Sequence, residues 1–115
     1  MLRCGITGFS GNLGKAFLRS HTKFHYIKFK GDISKKKKIN NWIKNNDFDI
    51  FIHFAAIVPT SIVNKSYKRA LDVNYKGTKH LVDAIVKHKK KIDWFFFSSS
   101  SHVYSLQNIK IKENF

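Results

Sequence analysis

Proline and cysteine each occur once in these 115 residues, acids number 7 against 22 lysines and arginines, and no apolar run approaches the ~20 residues that cross a bilayer. Cys4 has no second cysteine for an internal disulfide, which fits a reducing, cytoplasmic setting. The N-terminus passes from Arg3 directly into a strand pattern, without a signal-peptide core or cleavage site. A soluble, untargeted protein with no membrane partner is expected.

The scarcity of acids leaves a formal charge of +15. Taken alone, that excess points to nucleic acid or an anionic surface. Arginine is scarce too, limited to Arg3, Arg19 and Arg69, and the lysines cluster at positions 35–38 and 87–91, a helix start and a helix end. Specific nucleic-acid sites need arginine forks and exposed aromatics beside lysine. Solvated surface is therefore the expectation, with no nucleic-acid partner.

Hydrophobic content of 43%, with 15% aromatics, suffices for a core and for one domain or part of one. Residues 2–7 form an apolar run that breaks into a glycine-rich turn, as a buried parallel strand does on entering a nucleotide-binding loop. Leu13, Ala16, Phe17 and Leu18 then recur at helical spacing over 12–20, and 24–29 reads as a second strand. Gly31-Asp32 ends that strand, Ser34 is placed to cap a helix, and Ile39, Trp42 and Ile43 give that helix its apolar stripe.

A third strand over 49–56 contains Ile50-Phe51-Ile52, and after a loop around Pro59 a long helix is predicted over 66–88. Its inner face is predicted to hold Ala70, Asn74, Gly77, Leu81 and Ile85. Residues 93–98 carry Trp94-Phe95-Phe96-Phe97, which reads as a fully covered strand, and 99–115 is a mixed polar tail. The order β-α-β-α-β-α-β predicts an α/β doubly wound parallel sheet, with ligands at the carboxyl ends of its strands.

The chemistry centres on Thr7-Gly8-Phe9-Ser10-Gly11-Asn12-Leu13-Gly14, a G-x-x-G-x-x-G between a strand and a helix. Glycines there permit the tight turn and let backbone approach a pyrophosphate, while free N–H groups at the helix start hold the anion. Lys15 invites a triphosphate-loop reading, but that motif needs glycine where Phe9 stands and Ser or Thr where Ala16 stands.

The succession of this motif, Gly31-Asp32-Ile33, Asp49-Ile50-Phe51-Ile52-His53-Phe54-Ala55-Ala56, Val73-Asn74-Tyr75-Lys76-Gly77-Thr78 and Ser98-Ser99-Ser100-Ser101-His102-Val103-Tyr104 resembles the extended short-chain dehydrogenases/reductases, the NAD-dependent epimerase/dehydratase family. The resemblance covers nearly the whole chain and implies a Rossmann-like sheet, incomplete at the C-terminus. It implies NAD or NADP as cofactor, a nucleotide-sugar substrate, hydride transfer at a sugar carbon, and a homodimer when complete.

By the same resemblance Gly8, Phe9, Ser10, Gly11, Asn12, Leu13 and Gly14 form the pyrophosphate loop, Asp32 and Ile33 meet the adenine, and Phe54, Ala55 and Ala56 line the cofactor cleft. Asn74 and Ser98 complete the cofactor set, with burial of Asn74 in the helix packing as the rival reading. Ser100 corresponds to the catalytic serine or threonine that hydrogen-bonds the sugar oxygen, although a serine run can also be a simple turn.

The family's Tyr-x-x-x-Lys pair, whose lysine lowers the tyrosine pKa, does not follow the serine strand. Tyr104 is followed four residues later by Asn108, Tyr67 by Leu71, and Tyr75 by Lys79, the last in the Asn74 helix and thus a coincidence of spacing. The chain is expected to be the N-terminal portion of an NAD(P)-binding domain, 1–115, truncated before that helix and inactive alone. Its Trp94–Phe97 run is then an uncovered apolar edge that makes the isolated piece marginal or sticky.

The stretch between the second and third strands is shortened, as in the dTDP-4-dehydrorhamnose reductase-like branch, and offers Lys28 and Lys30 but no acid before Asp32. That tilts the cofactor toward NADP. Thr60 and Ser61 are candidates in the substrate loop, His53 and His102 read as packing or solvent contacts, no metal cluster is expected, and Cys4 reads as a small buried residue. Two other readings stay open: a short NAD(P)-binding protein without turnover, and a basic nucleic-acid-associated protein.

Overall fold

The computed structural model describes residues 1–55 and 67–98. Along the chain it places β1 (Arg3–Thr7), α1 (Asn12–Ser20), β2 (His25–Lys28), α2 (Lys36–Lys44), β3 (Ile50–His53), α3 (Tyr67–Ala70), a π-helical segment (Leu71–Gly77), α4 (Thr78–Lys87) and β4 (Trp94–Phe97). All strand pairs are parallel, in the order β2-β1-β3-β4. The predicted α/β doubly wound sheet is the observed one.

The period-2 alternation of strands sorts residues onto two cores. Cys4, Ile6 and Ile52 are buried on one face with Phe17 of α1 packed against them. On the other, Phe48 and Phe51 are buried with Ile39 and Ile43 of α2 and Leu81 and Ala84 of α4. Each such side chain contributes about 1.5–3 kcal/mol on burial, so the α2–α4 face carries more of the stability.

Gly5 in β1 makes the larger core possible, because a Cβ there would lie 2.6 Å from both Phe48 Cδ1 and Phe51 Cδ2. Those rings meet edge to face at 5.3 Å, with Trp42 beside them.

Three local expectations are corrected. Ser34 does not cap α2, whose N-cap is Lys35 without a side-chain bond. Instead the Ser34 hydroxyl donates to Asp32 Oδ1 at 2.7 Å, a bond internal to the preceding turn. The helix predicted as continuous over 66–88 contains the π-helical Leu71–Gly77. The residues buried along it are Val73, Gly77, Leu81 and Ala84, a stripe that passes through Val73 and leaves Asn74 exposed. Finally, β4 is not covered: Trp94 and Phe97 are 54% and 50% exposed. Among the described residues β4 pairs with β3 alone, leaving the apolar edge that the incomplete sheet was expected to show.

Candidate functional site

The carboxyl ends of β1, β2 and β3 converge on a cleft of about 670 Å³. Of the residues expected there, Gly8, Phe9, Ser10, Gly11, Asp32, Ile33, Phe54 and Ala55 line it, joined by Phe29, Lys30, Gly31, Arg69 and Val73. Asn12 and Leu13 open α1 with exposed side chains, and Gly14 is buried beneath the turn. Asn74 is exposed beside Val73, which excludes its burial in the helix packing. Ser98 follows β4, its N–H donating to the His53 carbonyl at 3.3 Å. Ala56, Thr60, Ser61, Ser100 and His102 lie outside the described residues.

The three loop glycines answer to different demands. Gly8 has φ +70°, and a Cβ there would lie 2.7 Å from the Phe54 carbonyl carbon. Gly14 is excluded from carrying a side chain by the fold, since its Cβ would fall 2.2 Å from the Gly8 oxygen and 2.7 Å from Phe9 Cα. At Gly11 the nearest atom to such a Cβ is the Gly8 oxygen at 3.6 Å, an ordinary contact. Neither backbone angles nor packing require glycine at 11, which is the N-cap of α1 with φ −75° and ψ 173°.

A side chain at Gly11 would instead fill the cleft in front of the α1 N-terminus. The first N–H groups of a helix have no intrahelical acceptor and carry partial positive charge. An anion that must touch backbone there explains the missing side chain. The residues present thus fit a dinucleotide pyrophosphate.

Behind the turn runs a directional hydrogen-bond chain. The Asn74 carbonyl can only accept, so the Thr78 hydroxyl donates to it at 2.9 Å and accepts from His53 Nε2–H at 2.8 Å. His53 Nδ1 then accepts from the Thr7 hydroxyl at 2.6 Å, and that oxygen accepts the Ala55 N–H at 3.2 Å. His53 is buried, and burial pushes its pKa down to about 4. It is a neutral structural link between β1, β3 and the π-helical segment, matching its reading as a packing residue. Cys4 is likewise buried, its thiol pushed up to about 11 by burial.

At the far wall of the cleft, Asp32 Oδ1 accepts from the Ser34 N–H at 3.0 Å as well as from its hydroxyl. Asp32 Oδ2 accepts from Arg69 Nη2 at 2.9 Å, while Arg69 Nη1 donates to the Ser34 hydroxyl at 3.1 Å. Partial burial opposes ionisation of Asp32, but the bonds from Ser34 and Arg69 outweigh it and hold the carboxyl below its usual range. Lys28 Nζ lies 5.4 Å from the centroid of Phe9, a cation beside the glycine turn.

Arg69 and Phe29 were not read as site residues, while Lys30 had been read only as a charge near the ribose end and Val73 only as part of its motif. The only local signal for Arg69 was its rarity, one of three arginines. Two tyrosines of the described residues stand four positions before a lysine, Tyr75 before Lys79 and Tyr26 before Lys30. Lys79 is ion-paired with Asp83 at 2.7 Å, and Tyr26, four residues before Lys30, donates its hydroxyl to the His21 carbonyl. Among the described residues no cluster of His, Cys, Asp or Glu could hold a metal, and no helix is long and apolar enough to cross a membrane.

A parallel sheet with a glycine turn feeding a helix N-terminus at its carboxyl edge defines a dinucleotide-binding α/β domain. Residues 4–115 match the NAD dependent epimerase/dehydratase family, and the chain belongs to that family. Among solved structures, RMD from Pseudomonas aeruginosa complexed with NADPH superposes with TM-score 0.81 at 23% identity, over 97% of this chain and 41% of its own. UDP-glucose-4-epimerase from Stenotrophomonas maltophila with NAD and formylated UDP-arabinopyranose gives 0.75 at 19%, over 95% and 40%. The dTDP-4-dehydrorhamnose reductase from Bacillus anthracis in complex with NADP gives 0.70 at 23%, over 79% and 34%. The chain thus spans about two-fifths or less of these proteins' lengths. No curated protein sequence matches it at a significant level.

Proposed function

We propose that this chain is the NAD(P)-binding portion of a nucleotide-sugar epimerase, dehydratase or reductase. The cofactor supplies or receives a hydride at a sugar carbon in such enzymes. The residues described here bind and orient it: backbone N–H groups at the α1 N-terminus hold the pyrophosphate, Asp32 and Ile33 border the adenine end, and Phe54 and Ala55 form the opposing wall. The observation that carries the reading is Gly11, a glycine that neither backbone angle nor packing requires, standing where a pyrophosphate must approach.

Ser100 is proposed to hydrogen-bond the reacting sugar oxygen, and a nucleotide-activated sugar is the proposed substrate of a form that also carries a Tyr-x-x-x-Lys pair. Domain extent, cytoplasmic location and homodimerisation follow the same proposal. Its test is titration of the folded protein with NADH and NADPH, read by nucleotide and tryptophan fluorescence. Saturable binding of at least one is expected, and a folded sample that binds neither overturns the reading.

A further inference from the structure

The solved neighbours hold both phosphorylated and unphosphorylated dinucleotides, so the choice falls to this chain's own residues. Dinucleotide sheets place an acid about 20 residues past the first glycine, where its two oxygens take the ribose hydroxyls, and an arginine nearby accommodates a 2′-phosphate. In that place this chain has Lys28, buried Phe29 and Lys30. The first carboxylate beyond them, Asp32, already takes bonds on both oxygens from Ser34 and Arg69.

We infer that Arg69, reaching in from α3 and held by Asp32 and Ser34, completes with Lys28 and Lys30 a subsite for the 2′-phosphate, making the protein selective for NADP(H). The inference rests on the proposed cofactor site and adds its specificity. Arg69 and Lys30 both line the cleft, and Lys28 Nζ lies 5.4 Å from the ring centroid of Phe9, which lines it too. Lys38 adds a fourth cation, its Cδ lying 3.6 Å from where a Gly31 Cβ would be. Against these stands the single carboxylate of Asp32, so the adenosine end is net positive and matches a dianion better than a diol.

The two bonds from Arg69 pre-set its guanidinium without exhausting its five donors. An arginine already ordered in the free protein loses less side-chain freedom when a phosphate arrives. The Arg69–Asp32 pair is itself exposed, at 47% and 30%, and such surface pairs contribute little to stability. A change at Arg69 therefore reads out on the ligand rather than on the fold.

The experiment measures NADPH and NADH dissociation constants at two salt concentrations for the wild type, Arg69→Met and Lys30→Glu, with melting temperature as the folding control. NADPH is expected to bind at least about tenfold more tightly than NADH, with the steeper salt dependence. Each variant should weaken NADPH by about tenfold and leave NADH within about twofold, Lys30→Glu also drawing the ratio toward NADH. Equal wild-type affinities, or folded variants that weaken both cofactors alike, overturn the inference while leaving the cofactor site standing. Binding of neither nucleotide removes the site itself. Lys30 is exposed, so Lys30→Glu decides the matter if Arg69→Met fails to fold.

Discussion

The two walls of the cleft are built on different physics. The glycine turn is a backbone device in which a side chain at Gly8 or Gly14 would meet backbone, with the hydrogen-bonded Thr7–His53–Thr78 chain beneath it. The opposite wall is made of exposed or half-exposed side chains, Lys30, Asp32, Ser34 and Arg69, held by surface hydrogen bonds. The first wall determines that a dinucleotide can bind. The second determines which one, at little cost to the fold.

The contrast predicts a gradient of stability effects. Gly14→Val drives a side chain into the backbone of Gly8 and Phe9, and a clash that backbone must absorb costs about 3 kcal/mol or more. Circular dichroism and urea denaturation should show a largely unfolded protein. A native Gly14→Val with unchanged midpoint would break the comparison at its stronger end.

Next comes acid. The His53 pKa is lowered from 6.5 in the unfolded chain to about 4 in the folded one. The unfolded state then binds the extra proton first, so stability falls as pH drops from about 6.5 to about 4 and levels off below. The shift corresponds to about 3 kcal/mol at its full extent. Denaturation of wild type and His53→Gln across that window should show the slope reduced in the variant, and equal slopes would remove His53 from the account. At the weak end, Arg69→Met should change stability by no more than about 1 kcal/mol, measured as a urea midpoint.

The part of this site that is coded locally was readable in advance. The strand, turn and helix around Gly8–Gly14 lie within one short stretch, with Gly8 and Gly14 required by the backbone around them and Gly11 left bare in front of the helix N-terminus. The alternation of apolar runs likewise located every described strand and the sheet class. What escaped was set by distant contacts or by phase. Arg69 meets Asp32 across 37 residues, a pairing no window around either residue contains.

On the helix after Pro59 the buried stripe passes through Val73 and leaves Asn74 exposed; both positions are compatible with a 3.6-residue period that includes Gly77, so periodicity alone did not choose between them. Ser34 was read as a helix cap from its position, yet the nearer Asp32 captured its hydroxyl. The exposed β4 shows the converse: an apolar run reports what a strand can bury, while the neighbours present decide whether it is covered.

The central claim, that Gly11 is kept bare for a ligand and not for the fold, is tested most directly by comparing NADPH and NADH titrations and melting curves of wild type and Gly11→Val. The N-cap change should cost about 1 kcal/mol or less, leaving a folded protein, while binding of both cofactors falls by at least about 100-fold, the loss of roughly 3 kcal/mol of backbone–pyrophosphate contact. A folded Gly11→Val protein that binds either nucleotide as tightly as wild type would contradict the account.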